Sequence, residues 1–267
     1  MTTDFPPVFI LKIGGSLITD KDAYCTPNIR AIQDFIRVIK LNLTELQNRL
    51  ILIIGSGSFG HGTVLKFNLH SSSGDWKNSN LAIPTIKLFE FMTLIAMMFR
   101  EQDVPCYPFQ TSSYLTTSEG QPVAFFIEPI IQVLSMGIIP ILSGDIVFDR
   151  HKQFVVFSSD RIPELFLNRL IIKRVAILTN VPGLLCSRKN SVAMLRFITK
   201  DNYKFALQAA ETSNQPDVSG GMATKIDALI RLAKRGVESV VCDGRDPHLL
   251  IPALYEPNPN GTIIQPW

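Results

Sequence analysis

Four stretches of this 267-residue chain combine glycines with lysines, carboxylates or a histidine in a way suited to holding an anion. The first is Lys12-Ile13-Gly14-Gly15-Ser16, where two glycines at the end of an apolar run let the backbone approach a charged ligand and Lys12 adds a positive charge. A Gly-Gly turn is also an ordinary tight connection, and the G-x-x-x-x-G-K-[ST] spacing of a Walker A loop is absent. The second, Gly55-Ser56-Gly57-Ser58-Phe59-Gly60-His61, places three glycines in six residues, a conformational cost best explained by close backbone approach to a ligand. His61 fits either a neutral core position or a hydrogen bond to a phosphate or phosphonate oxygen. The third pairs Ser143-Gly144-Asp145 with Phe157-Ser158-Ser159-Asp160-Arg161; carboxylates at strand ends can orient lysines or hold magnesium, and helix capping is an equally natural role for Asp160. In the fourth, Asp217-Val218-Ser219-Gly220-Gly221-Met222-Ala223-Thr224-Lys225, a lysine sits in a helix's first turn. That position is unfavourable against the helix dipole unless an anion neutralises it.

These motifs need a scaffold that brings them together, and the order of apolar runs supplies one. Strand-length runs at Val8 to Ile13, Leu50 to Ile54, Ile138 to Leu142, Arg174 to Leu178 and Ser239 to Cys242 alternate with helical periods. The helical stretches are Asn28 to Leu41, Ile86 to Glu101, Ile127 to Met136, Tyr203 to Glu211 and Met222 to Arg235. This predicts an α/β protein with a mainly parallel sheet. Ile146 to Phe157 reads as a protruding β-hairpin around Asp149 to Lys152, and Leu69 to Ser79 reads as a loop. No repeat or long linker separates independent domains; a division into lobes 1–170 and 171–267 on one continuous sheet is expected.

Composition narrows the function classes. The chain is 46% hydrophobic and 18% charged, with a formal charge of +3 spread along its length, too little basic bias for nucleic acid. No uninterrupted apolar run reaches the roughly 18 residues of a membrane span, and the N-terminus does not read as a signal peptide. The four cysteines (25, 106, 186, 242) and four histidines (61, 70, 151, 248) are dispersed, which predicts neither a zinc site nor a disulfide framework and favours a cytoplasmic setting.

Together, Lys12 to Ser16, Gly55 to His61, Ser143 to Asp145, Thr179-Asn180-Val181-Pro182-Gly183 and Asp217 to Lys225 resemble the amino acid kinase superfamily, in the branch of isopentenyl phosphate kinase and fosfomycin kinase. The resemblance spans nearly the whole chain. It implies an open αβα sandwich binding ATP, with its magnesium, on the C-terminal lobe and a small-molecule acceptor on the N-terminal lobe. It also implies a homodimer through the N-terminal half. By motif match, Lys12, Lys21 and Lys225 would grip the transferring phosphoryl oxygens and Asp160 would orient the lysines. Gly14, Gly15, Ser16, Thr179, Asn180, Gly183, Gly220, Gly221 and Met222 would hold nucleotide, and Gly55, Ser56, Gly57, His61, Gly144 and Asp145 the acceptor, with Gly14, Gly15 and Gly57 offering backbone N–H donors. No direct metal ligand is assigned. His61 matches the branch histidine that contacts an acceptor phosphate or phosphonate, and Gly144 to Asp149 with Phe157 to Glu164 look closer to fosfomycin kinase. Asn180-Val181-Pro182-Gly183 stands where the family has Asp-Val-Asp-Gly, a loss of two carboxylates. An isopentenyl phosphate kinase, a hydroxyl or N-hydroxyl kinase, and a non-catalytic nucleotide- or oxyanion-binding protein remain open readings.

Overall fold

The computed structural model describes residues 5–20, 22–69, 80–188, 191–212 and 221–267. In chain order the elements of the first half are β1 (Val8–Ile13), α1 (Gly15–Ile18), α2 (Ile29–Leu41), α3 (Leu43–Leu46), β2 (Leu50–Ile54), α4 (Gly57–Lys66), α5 (Ala82–Glu101), β3 (Cys106–Pro108), β4 (Leu115–Ser118), β5 (Gln121–Phe125), α6 (Glu128–Ser135) and β6 (Ile139–Ser143). They are followed by β7 (Asp145–Asp149), β8 (Gln153–Phe157), a 3-10 helix (Ser159–Phe166), β9 (Ile172–Thr179), β10 (Leu185–Arg188), β11 (Ser191–Met194), β12 (Phe197–Ile198), α7 (Tyr203–Thr212), α8 (Gly221–Ala233), β13 (Ser239–Asp243), α9 (Leu250–Tyr255) and β14 (Thr262–Ile264).

Eight strands form one sheet in the order β12-β14-β13-β9-β1-β2-β6-β3, parallel throughout except for the β13–β14 pair. The central strands are buried along their whole length, and almost wholly apolar, because helices cover both faces, as a parallel sheet requires. Alternation in β1 sends Phe9, Leu11 and Ile13 to a core shared with α2 and α5, and Val8 and Ile10 to a core shared with the 3-10 helix and α8. Lys12 has the parity of Val8 and Ile10. It therefore points to the face where the 3-10 helix and α8 lie.

The expected strands are all present, β9 being longer than its apolar run. The hairpin at 146–157 is half of a second, four-stranded sheet in the order β5-β4-β7-β8. Asp149 ties that sheet together: its carboxylate accepts from Thr117 Oγ1 and from the backbone N–H groups of Glu119, Gly120, His151 and Lys152, at 2.8–3.1 Å. Desolvation opposes its ionisation, but these donors prevail and hold the acid well below the usual carboxylate range.

Helix α5 begins at Ala82, earlier than the periodicity of Ile86 to Glu101 suggests, because Pro84 is accommodated in the first turn. Its 20 residues are long and apolar enough to cross a membrane, a correction to the shorter apolar run read from the sequence. Leu88, Phe91, Met92, Ile95 and Phe99 are nevertheless buried on the sheet. The predicted loop at 69–79 lies outside the described residues beyond Leu69.

The turns after β1 and β2 touch backbone to backbone. A Cβ on Gly15 would lie 2.2 Å from Gly57 N and 2.5 Å from Gly57 Cα, and one on Gly55 would lie 2.3 Å from Gly15 N. Gly57 itself has φ +48°, and its Cβ would meet Thr19 Oγ1 at 2.1 Å. Thr19 completes the seam, donating from Oγ1 to Gly15 O and accepting from Ser58 N–H. A Gly15→Ala variant should lose about 1–3 kcal/mol or more, because the obstructing atoms are backbone and cannot rotate away. Gly62, in the interior of α4, has only the Tyr24 ring at 3.7 Å from a Cβ, so Gly62→Ala should leave stability unchanged or raise it by about 0.5–1 kcal/mol. Urea denaturation of both variants checks the contrast.

Candidate active site

The C-terminal ends of β13, β9, β1, β2 and β6 lie side by side on one edge of the sheet, so four of the glycine-bearing turns, at Asn180, Gly14, Gly55 and Gly144, line that edge. Between β9 and β1 the chain order reverses direction, the place where open α/β sheets bind ligands. Lys12 and Asp160 stand at this junction.

Asp160 is 4% exposed and Lys12 5%, and Lys12 Nζ donates to Asp160 Oδ1 at 2.5 Å. Lys225, near the start of α8, reaches the same carboxylate, with Nζ 3.2 Å from Oδ1 and 3.4 Å from Oδ2. Burial disfavours a charged Asp160, but the Coulomb field of Lys12, then of Lys225, overcomes it and holds the acid well below the usual carboxylate range. One carboxylate thus faces two ammonium groups at the sheet edge. The helix-capping role open for this segment belongs to Ser158, whose side chain accepts from Asp160 N–H; Asp160 follows in the first turn, where the helix dipole favours an anion.

Several glycines act by making room. The Gly14 N–H donates to Leu178 O at 2.8 Å and the Gly55 N–H to Ile13 O at 2.8 Å. Gly14 is therefore not the ligand donor that the motif implies: its amide belongs to the sheet, and a Cβ there would meet Leu178 O at 2.8 Å. Gly15 and Ser16, in α1, and Ser56 and Gly57, at the start of α4, are partly exposed on the same edge. His61 lies in α4 one turn after Gly57, and its side chain is outside the described residues, as are Lys21 and Gly220.

On the acceptor side, Gly144 passes close under β8, where a Cβ would meet Phe157 O at 2.6 Å. Asp145 is buried and its oxygens are engaged by protein donors: Thr85 Oγ1 and Ile146 N–H on Oδ1, Ser112 N–H on Oδ2. Burial pushes its acidity weaker despite these bonds. Its place in the structure is a clasp between α5 and the second sheet. On the other side, Thr179 Oγ1 accepts from Val181 N–H, closing the turn that carries half-buried Asn180, and Gly183 packs against Thr262. Gly221, at φ +55°, opens α8, and Met222 packs partly buried beside it. Asp243 and Arg245, paired at the end of β13, stand on this same edge. Sequence reading did not single them out, since an acid and a base two residues apart look like any exposed pair.

Among the described residues no group of three His, Cys, Asp or Glu side chains could hold a metal ion. What the edge offers is paired ammonium groups, partly exposed turns and a buried carboxylate, a set matched to phosphate oxygens.

A model of the amino acid kinase family matches residues 7–243. The isopentenyl phosphate kinase of Methanocaldococcus jannaschii is 27% identical over 241 residues, covering 85% of this chain and 88% of that protein. That of Methanothermobacter thermautotrophicus is 27% identical over 265 residues, covering 96% and 98%. A crystal structure of isopentenyl phosphate kinase superposes with a TM-score of 0.77 at 25% identity, over 96% of this chain and 100% of the other. With its mostly parallel sheet and its Lys12–Asp160–Lys225 cluster, the chain belongs to the amino acid kinase family and is a phosphotransferase.

Proposed function

We propose that this enzyme uses ATP to phosphorylate an oxygen of a small anionic acceptor, a phosphate monoester or phosphonate. The observation that carries the reading is the shared carboxylate: Asp160 holds Lys12 and Lys225 together at the switch point of the sheet. Phosphoryl transfer needs little covalent chemistry from a protein. It needs charge placed where the transferring oxygens gain it, and reactants held in line. In this reading Lys12 and Lys225 bind the γ-phosphoryl oxygens, with Lys21 joining them, while Asp160 keeps both described ammonium groups aimed. The turn at Thr179 to Gly183 and the start of α8 face the nucleotide, and α4 and the Gly144 turn face the acceptor. Magnesium would enter this site on the nucleotide's phosphate oxygens and would neutralise charge on them.

Isopentenyl phosphate itself is the second reading. It is favoured by the similarity to enzymes of that name and by a buried apolar cluster of Val64, Leu69, Ile146 and Phe154 beside α4. The phosphonate reading draws on Gly144 to Asp149 and Phe157 to Glu164. The lobe division near residue 170 and a homodimer belong to the same proposal, the latter supported by exposed Ile86 and Met97 on α5.

ADP release with ATP and magnesium against isopentenyl phosphate, small phosphonates and hydroxylated or N-hydroxylated metabolites tests the reaction. Lys12→Ala and Lys225→Ala should each lower kcat by about 10² or more while the fold persists. Unchanged rates would remove these lysines from the transfer. His61→Ala should raise KM for the acceptor, and an effect confined to ATP would place it on the nucleotide side.

Asp160→Asn should destabilise the fold by about 3–5 kcal/mol at neutral pH, because buried Lys12 loses its counter-charge. The acidity of Asp160 is strengthened in the folded state, so its contribution is fully present above the unfolded carboxylate range near pH ~4 and is lost as pH falls further. Denaturation at pH 7 and pH 3 should show the gap between wild type and variant narrowing on the acid side.

A further inference from the structure

The 3-10 helix and α8 meet at two places. The first is the Asp160–Lys225 contact. The second lies farther along both elements, where Arg231 Nε donates to Glu164 Oε1 at 2.8 Å. Glu164 is four residues beyond Asp160, a rise of about 8 Å in a 3-10 helix. Arg231 is six beyond Lys225, a rise of about 9 Å in an α-helix. The spacings match, so the ion pairs form two rungs between elements running the same way.

The second rung is braced at both ends. Arg231 also pairs with Asp227 one turn back on α8. On the other side, Glu164 Oε2 lies 3.6 Å from Arg161, whose guanidinium donates to Gly120 O at 2.6 Å and Gln121 Oε1 at 2.8 Å. Gly120 belongs to the β4–β5 turn that Asp149 anchors, and Gln121 opens β5 directly after it. The Glu164 and Arg231 side chains are 17% and 38% exposed, so the pair is partly shielded from solvent.

We infer that Glu164 and Arg231 are positioning residues that set where Lys225 meets Asp160. The inference rests on the proposed role of Lys225 at the transferring phosphoryl group. The ammonium of Lys225 must lie within hydrogen-bond reach of oxygens whose charge develops during transfer, and a displacement of about 1 Å at such a point costs up to about 10²-fold in rate. Ile226 and Leu229 of α8 share one buried core with Ile162, Leu165 and Phe166 of the 3-10 helix. Apolar packing is non-directional, and an ion pair at a matched spacing adds a directional fixed point along the axis of α8.

The test uses Glu164→Gln, Arg231→Gln and Arg231→Lys in the wild-type chain, and Glu164→Gln in a Lys225→Ala background. The expected result is a fall in kcat of about tenfold for the two glutamine variants, with KM for ATP and acceptor within about twofold. Arg231→Lys should recover part of the loss, and Glu164→Gln should cost nothing further once Lys225 is alanine. An unchanged kcat in folded Glu164→Gln, or an equal loss in both backgrounds, overturns the inference. Lysine-labelled NMR supplies a readout free of turnover, the Lys225 signal being identified by its loss in Lys225→Ala. If the wild type turns over no acceptor, the kinase reading fails separately, and the signal decides: displacement in Glu164→Gln supports positioning, and an unmoved signal overturns it.

Discussion

A lysine ammonium under the central sheet is stable only beside a carboxylate, and Lys12 finds its partner in Asp160, 148 residues later in the chain. That requirement arranges much else. The 3-10 helix carrying Asp160 must dock on the face to which β1 turns Lys12, so Ile162, Leu165 and Phe166 pack into that core. The segment that follows must re-enter the sheet next to β1, as β9 does. Helix α8 packs on the same face and brings a second ammonium to the same carboxylate. A single buried charge thus links three elements that are remote in sequence and gathers two ammonium groups at one point of the sheet edge.

Much of this scaffold was legible in the residues. The five long strands of the parallel sheet are built on short runs dominated by apolar residues, a signal that survives without knowledge of packing, and the amphipathic period of α2 and α8 locates helices for the same reason. The short strands were not legible. β3, β12 and β14 are two or three residues long and exist because a neighbouring strand already offers an edge, which no local pattern announces. β5 was missed because Gln121 to Phe125 is largely exposed and lacks a buried face to alternate with, and β4 because its four residues, Leu115 to Ser118, alternate in burial but carry a single apolar side chain.

The site divides along similar lines. Lys12, Asp160 and Lys225 were assigned by motif match to the family, and Lys225 carried an independent signal, since a lysine near the start of a helix is unfavourable against its dipole and asks for an anion. Gly14 was assigned a donor role that its place in the sheet withdraws, since a motif shows that backbone comes close but not to what. The glycine run before His61 reads as a turn leading to a helix; the helix begins inside it, at Gly57, because α4 must start against the Gly15 turn. Glu164 and Arg231 escaped notice because they look like any charged pair until the rise of two different helices is compared.

Two neighbouring turns that meet through bare backbone have a separation set by atomic radii alone. Between Gly15 and Gly57 there is no side chain that could be lengthened or trimmed, so the width of the seam at the middle of the edge is not open to gradual adjustment. If α4 and the Gly144 turn face the acceptor as proposed, diversity in what is accepted has to enter from the periphery, through side chains on the later turns of α4 and on the strand β7. The fold thereby separates a region of fixed dimension from regions free to vary, and it does so with the residues that have the least chemistry to offer.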